Sequence, residues 1–135
     1  MARKKTARAA IPIRAVDFVM YCARDPKKTR AWYQKTFGFR RGAEWNNFWS
    51  EFGTEPVTFC LDGPNKTGKD KWTWDGPPAI AFAVRDIHKA AAICRKRRIR
   101  ILKGPVETSV CWMLFISDPD KNRIILHQRK DGTAG

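Results

Sequence analysis

A pattern of strand, helix, strand, strand, strand occurs twice along this chain, at a period of roughly 60 residues. A repeat in element order constrains a fold more than any single motif does. In the first copy, Val16–Ala23 is rich in apolar, β-branched and aromatic residues and reads as a buried strand. Asp25-Pro26 then supplies an N-cap and a proline at the first helical position. Thr29, Trp32, Tyr33 and Thr36 fall on one helical face, which places Trp32 and Tyr33 in the core, and Gly38 stops the helix. Phe39–Ala43, Glu44–Phe52 and Val57–Leu61 read as short strands separated by turns.

The second copy opens with a strand at Ala79–Val84. Asp86 caps a helix that carries Ile87, Ala90, Ala91 and Cys94 on one face. Arg100–Lys103, Val110–Ile116 and Arg123–Gln128 read as strands, the last two joined by the turn Asp118–Asn122. Between the copies, Asp62–Pro78 is dominated by Gly, Pro, Asn, Asp and Lys, the composition of a linker or long loop. Trp72 and Trp74 are its exceptions, suited to folding back over the body or covering a pocket. At 135 residues one domain is expected. The division is a basic tail (1–13), a domain of two modules (14–62 and 78–130) joined by 63–77, and a tail at 131–135.

Charge adds a question. Lys and Arg number 27 against 13 Asp and Glu, a formal net charge of +14. Such an excess points toward nucleic acid or another polyanion. It concentrates at Arg3, Lys4, Lys5 and Arg8 near the N-terminus and at Arg95, Lys96, Arg97, Arg98 and Arg100 around the end of the second helix. Both stretches also read as solvated surface. No recognised nucleic-acid motif accompanies them. No apolar run is long enough to span a membrane, and the basic start leads into no apolar segment of a secretory signal. The four cysteines, Cys22, Cys60, Cys94 and Cys111, are widely spaced and have no zinc-module pattern, so reduced thiols in a cytoplasm are expected.

Three segments carry a resemblance. Asp25-Pro-Lys-Lys-Thr-Arg-Ala-Trp-Tyr33 with Phe37-Gly-Phe39 looks like a "D…ARAFY…LGF" helix. Ser117-Asp-Pro-Asp-Lys-Asn122 with Leu126-His-Gln128 looks like a "DPDGN…ELHQ" hairpin. Glu107-Thr-Ser-Val-Cys-Trp-Met113 looks like an "ETPVC.M" stretch. With the duplicated element order, the chain over residues 14–130 resembles the vicinal oxygen chelate superfamily of glyoxalases, bleomycin-resistance proteins, fosfomycin-resistance enzymes and extradiol dioxygenases. The resemblance implies an α+β fold. Two βαβββ modules would form one cupped, barrel-like mixed sheet with the helices outside. It also implies a homodimer, for which the linker permits a swapped or an unswapped arrangement.

Metal-dependent members of that superfamily draw ligands from the first and last strand of each module. By strand alternation these positions fall on Phe18, Phe59, Ala79 and Ile125, none of which can bind a metal. A one-residue slip offers Asp17, Thr58 or Cys60, Ile80, and Ile124 or Leu126, a sparse and mismatched set. No metal or other cofactor is therefore expected, which argues against glyoxalase, fosfomycin-transferase and ring-cleaving chemistry.

The same alternation predicts a cavity lined by Phe18, Met20, Cys22, Phe59 and Leu61 from the first module. The second contributes Ala79, Ala81, Ala83, Arg123, Ile125 and His127. An apolar bowl with a few polar groups suits a small ligand, and Arg123 with His127 would favour an anionic one. Either residue could instead sit at a solvated rim. Cys111 interrupts no aliphatic run and reads as an inert buried thiol or as a nucleophile. The facing of Trp49, Glu51 and Trp112 is open, and His88 reads as surface. Arg98 and Lys121 stand where the superfamily commonly has glycine, so both are expected at positive φ.

Three functions follow in order. The first is binding of a small anionic or aromatic organic molecule in a metal-free cavity. The second is a metal-independent enzyme with His127, Arg123 and Cys111 as its candidate catalytic residues. The third is polyanion binding through the basic surface.

Overall fold

A computed structural model describes residues 10–45, 47–63 and 78–135. Arg3, Lys4, Lys5, Arg8, Trp72 and Trp74 lie outside the described residues. The elements run β1 (Ala15–Cys22), α1 (Pro26–Phe37), β2 (Arg41–Trp45), β3 (Trp49–Phe52) and β4 (Thr58–Asp62). They continue with β5 (Ala79–Ala83), α2 (Ile87–Lys96), β6 (Ile101–Glu107), β7 (Cys111–Ser117) and β8 (Arg123–Arg129).

The strands form one mixed, curled sheet in the order β2-β3-β4-β1-β5-β8-β7-β6. The duplication is visible in the pairing. Each module lays its first strand parallel to its last, β1 on β4 and β5 on β8, and builds outward by antiparallel hairpins. At the centre β1 pairs antiparallel with β5, so backbone hydrogen bonds join the modules. Each helix packs on the outer face of its own module.

Local chemistry sets the helix ends as expected. Asp25 accepts from the Lys28 N–H at 3.1 Å, Pro26 opens α1, and Gly38 closes it at φ +68°. Asp86 accepts from the N–H groups of His88 and Lys89. Arg98 and Lys121 adopt φ of 57° and 68°, the left-handed conformation expected of the glycines they replace.

Three expectations are corrected. Trp32 is 55% exposed, while Arg30 is the buried residue of α1. Arg30 reaches Glu44 and Ser50 at 3.2 Å each, so a buried cation rather than a tryptophan fixes α1 to the sheet. The β2–β3 hairpin turns at Asn47, with φ 61°, instead of before Glu44. Strand β6 runs on to Glu107, past the expected end at Lys103.

Two apolar layers hold the sheet. On the outer face, Ile87, Ala91 and Cys94 of α2 pack with Leu114, Ile116 and Leu126. Each large apolar side chain buried this way contributes about 1.5–3 kcal/mol. Tyr33, Phe39, Phe52 and Phe59 form the aromatic counterpart beneath α1. On the inner face, Phe18, Met20, Cys60, Ala79, Ala81, Phe115 and Ile125 form one cluster.

That division corrects two cavity expectations. Phe59 pairs with Phe52 across β3–β4, and Leu61 pairs with Ser50, whose hydroxyl meets Arg30 of α1. Phe59 and Leu61 therefore face the helix. Thr58 and Cys60 face inward instead. The alternation held along β4, but its phase was one residue off.

Candidate functional site

The inner face encloses a cavity of about 570 Å³ between the two modules. Its apolar wall is Phe18, Trp45, Phe48, Trp49, Val110 and Met113. Its polar end is Asp17, Cys111, His127 and Arg129. Phe18 sits edge-on to both Trp49 and His127, with ring centroids 5.6 and 5.2 Å apart, and so bridges wall and polar end.

Asp17 enters the cavity because β1 is irregular. Pairing with β5 shifts register between Val16 and Phe18. Such a bulge re-aims a side chain, and here Asp17 and Phe18 are both buried and both line the cavity. A fully buried carboxylate requires partners. Oδ2 of Asp17 meets Nδ1 of His127, while Oδ1 accepts from Arg129 Nη2 at 2.5 Å and from the Gly135 N–H at 3.0 Å. Burial pushes the Asp17 carboxyl up. The hydrogen bond and charge of His127, aided by Arg129 and Gly135, outweigh it and hold the group below the usual carboxylate range.

His127 and Cys111 come from adjacent strands. Antiparallel β7–β8 pairing sets Met113 opposite His127 and Cys111 opposite Arg129, so these four side chains share the inner face. Burial alone would lower the His127 pKa. Hydrogen bonds to Asp17 and the Cys111 thiol, with their charges, raise it to about 9. The imidazole is thus a cation at neutral pH.

The loop before β7 holds Cys111. The Thr108 hydroxyl accepts from the N–H groups of Val110 and Cys111 at 3.2 and 3.0 Å, and lies 3.1 Å from Cys111 Sγ. Two accepted bonds occupy its lone pairs, which leaves the hydroxyl proton to point at Cys111, toward Sγ or the carbonyl. Burial would raise the Cys111 pKa, but the bonds from His127 and Thr108 and the charge on His127 bring it below an ordinary thiol. Burial pushes Cys60 and Cys94 the other way.

Phe18, Met20, Cys22, Ala79, Ala81, Arg123, Ile125 and His127 all sit on the inner side, in the cluster or the cavities. Arg123 and His127 are nevertheless far apart, four residues or roughly 13 Å along β8. Arg123 lies in a second chamber of about 100 Å³ that shares Phe48, Trp49 and Met113 with the first, and it donates to Cys22 Sγ at 3.3 Å. The cation beside His127 is Arg129, and the carboxylate is Asp17. Neither was among the expected site residues. The available signal was a lone Asp in an otherwise apolar strand, Ala15-Val-Asp-Phe-Val-Met20, which has to find a partner.

Trp49 and Glu51 face the cavity, joined by a hydrogen bond from Trp49 Nε1 at 2.9 Å, whereas Trp112 packs against the α2 cluster with His88 on it. Arg95, Lys96, Arg97, Arg98 and Arg100 are exposed around the end of α2, away from the cavity. Residues 131–135, expected as a tail, return to the site, where Asp131 and Gly135 line the cavity.

Among the described residues, the inward positions of β1, β4 and β5 offer a poor donor set for a divalent metal. Both Asp17 oxygens are occupied by cationic or N–H donors, and the inward β4 and β5 positions are Thr58, Cys60, Ala79 and Ala81. Among the described residues, no three His, Cys, Asp or Glu side chains are grouped to hold a metal ion. No helix among them is long and apolar enough to cross a membrane.

Comparison with known proteins gives a consistent result. The sequence model described as Glyoxalase/Bleomycin resistance protein/Dioxygenase superfamily matches residues 15–126. No curated protein matches the chain. A solved structure described as an NAD-dependent benzaldehyde dehydrogenase from Legionella pneumophila is 15% identical, with a TM-score of 0.66, covering 84% of this chain and 98% of that one. A glyoxalase/bleomycin resistance protein/dioxygenase superfamily member from Vibrio splendidus 12B01 is 14% identical at a TM-score of 0.61, covering 87% and 99%. A Streptomyces coelicolor methylmalonyl-CoA epimerase variant in complex with 2-nitronate-propionyl-CoA is 20% identical at 0.65, covering 92% and 100%. At these identities the likeness is one of fold.

Proposed function

The chain belongs to the Glyoxalase/Bleomycin resistance protein/Dioxygenase superfamily, and from that premise we propose that it binds a small aromatic molecule, without a metal, in the cavity between its modules. The observation that carries this is the wall of Phe18, Trp45, Phe48, Trp49, Val110 and Met113 around about 570 Å³, with a polar cluster on the same lining. Small-ligand sites commonly enclose ~300–1,000 Å³, mostly apolar with a few fixed polar groups. Of the two ligand classes expected, the aromatic one fits better than the anionic. Three carboxylates, Asp17, Glu51 and Asp131, line the cavity with two cations, His127 and Arg129, and Arg129 is already engaged with Asp17.

Calorimetric titration with one- and two-ring aromatic aldehydes, ketones and carboxylates tests the proposal. Uncharged aromatics should bind in the micromolar range. Met113→Trp, which fills the cavity, should weaken them at least tenfold. A folded protein that binds none of the panel, or a Met113→Trp variant that binds as well as wild type, would overturn it. A second reading, catalysis without a metal, is favoured by one observation: Cys111, His127 and Asp17 line the cavity together, with His127 bonded to Asp17.

A further inference from the structure

Of the four cysteines, Cys111 alone combines a cavity position, a histidine neighbour on the adjacent strand and a hydroxyl contact. Cys94 is sealed on the buried face of α2, and Cys60 lies in the inner cluster with its pKa raised by burial. Cys22 contacts Arg123 in the smaller chamber. The contacts of Cys111 form a chain across three strands. Thr108 lies 3.1 Å from Sγ, His127 is its diagonal neighbour on the inner face of β7–β8, and Asp17 takes Nδ1 of His127. Since Nδ1 faces Asp17, Nε2 is the ring nitrogen left to hold the thiol's proton. Asp17 is in turn fixed by Arg129 and Gly135.

We propose that Cys111, His127 and Asp17 form a nucleophilic thiol centre that adds reversibly to the conjugated carbon of an aromatic enone or enal held in the cavity. Cys111 is the catalytic nucleophile and His127 the proton carrier, and Asp17 is a positioning residue that acts through His127. In the forward step, the Cys111 sulfur forms a bond to the β-carbon. The C=C electron pair moves through the carbonyl to give an enolate. The proton on His127 then passes to the α-carbon, leaving neutral imidazole and a saturated thioether adduct. The thiol hydrogen and sulfur have added across the double bond, and no oxidant or leaving group is needed. Reversal restores the enone. The apolar wall suits the aryl group of such a molecule, and the thiol lies at the polar end where its carbonyl would be solvated.

The substrate class rests on the aromatic-cavity reading, but the nucleophile does not, so the test separates them. Alkylation by iodoacetamide needs no aromatic pocket. It forms a C–S bond, releases iodide, and is read by mass spectrometry on peptides. The titratable and charged groups that line the cavity with Cys111 are Asp17 from β1, Glu51 from β3, the neutral thiol of Cys60 from β4, and His127, Arg129 and Asp131 from β8 and beyond. Cys111 should be alkylated at least tenfold faster than Cys22 at neutral pH. Its rate should persist at acidic pH values where an ordinary thiol is protonated. Asp17→Asn should slow it about tenfold and move the pH profile toward that of a free thiol. Thr108→Ala should do so less. The wild-type profile stands alone if Asp17→Asn fails to fold.

Benzylideneacetone supplies the second arm. Loss of its conjugated absorbance should match one equivalent of protein, return on dilution, and vanish in Cys111→Ser. Alkylation of Cys111 that is no faster than that of Cys22, or that rises only with ordinary thiol ionisation, overturns the nucleophile. Fast alkylation without any reaction of the enone overturns the substrate class. Aromatic binding by Cys111→Ser reads the cavity itself, independently of both.

Discussion

At the scale of single residues, His127 couples the site to pH. Its pKa rises from 6.5 to about 9 in the folded chain, against the effect of burial, because Asp17 and Cys111 accept from it. A group with a raised folded pKa stabilises the native state fully below its unfolded pKa, and the contribution is lost as pH rises through the folded one. The window is therefore pH 6.5 to about 9. At about 1.4 kcal/mol per pH unit, the effect is on the order of 3 kcal/mol. His127→Gln should be less stable than wild type by a few kcal/mol near pH 6, and the gap should narrow toward pH 10. Urea unfolding across that range checks it. A gap independent of pH would mean that His127 contributes packing alone. Asp17 acts on the acid side: its depressed pKa gives stability that is present above the ordinary carboxylate range and lost as pH falls through the folded value.

At the scale of elements, backbone geometry decides more than composition. Strand β6 carries Gly104 at φ +100°, where an added Cβ would lie 2.7 Å from the Met113 carbonyl oxygen and 3.0 Å from the Val106 nitrogen. Neither backbone atom can move without opening the β6–β7 ladder that also presents Met113 to the cavity. Gly104→Ala should cost about 2–3 kcal/mol and lower the melting temperature by about 10 °C. Thermal denaturation followed by circular dichroism reads it, and an unchanged melting temperature would show that β6 is not pinned there. Helix α1 depends on a different device. Arg30 is buried against Glu44 and Ser50, and its truncation leaves the buried Ser50 hydroxyl without this donor while Glu44 keeps Arg41. Arg30→Ala should cost about 2 kcal/mol in urea unfolding, from lost packing and an unsatisfied buried hydroxyl, more than a surface ion pair is worth. A loss under 1 kcal/mol would show that water replaces the guanidinium.

These two elements also show what could be read in advance. The repeat and both helix caps follow from residue types whose effects are local, whereas the left-handed Arg98 and Lys121 follow only from the resemblance to a family that commonly has glycine there. Inward facing could be read along β8, where Ile125 and His127 alternate regularly. It could not be read along β4, because Phe59 and Cys60 are both apolar and either phase buries a hydrophobic residue. The Asp17 bulge was equally hidden, since strict alternation from Phe18 turns Asp17 outward. The partner that draws it inward, His127, lies 110 positions away. Trp32 misled for a related reason. Its spacing marks a helical face, but whether that face turns to the sheet depends on Arg30 finding Glu44.

For the whole molecule, charge and cavity turn out to be separate properties. The net charge of +14 describes the chain. The cavity instead holds Asp17, Glu51 and Asp131 against His127 and Arg129, close to balance. The basic run Arg95–Arg98 with Arg100 projects from the end of α2, on the side of the sheet opposite the cavity. Screening over ~8 Å at physiological ionic strength keeps such exposed charges from reaching a site on the far face of the sheet. Two salt responses should therefore coexist. Any binding of duplex DNA should weaken steeply between 50 and 200 mM salt, because it rests on displaced counterions. The affinity of an uncharged aromatic for the cavity should change less than twofold over the same range. Saturating DNA should not displace the aromatic. Paired titrations at both salt concentrations check this, with fluorescence polarisation for DNA and calorimetry for the small molecule. A cavity affinity that falls with salt in parallel with DNA binding would mean that the basic surface and the cavity form one site, and that the ligand is an anion reaching both.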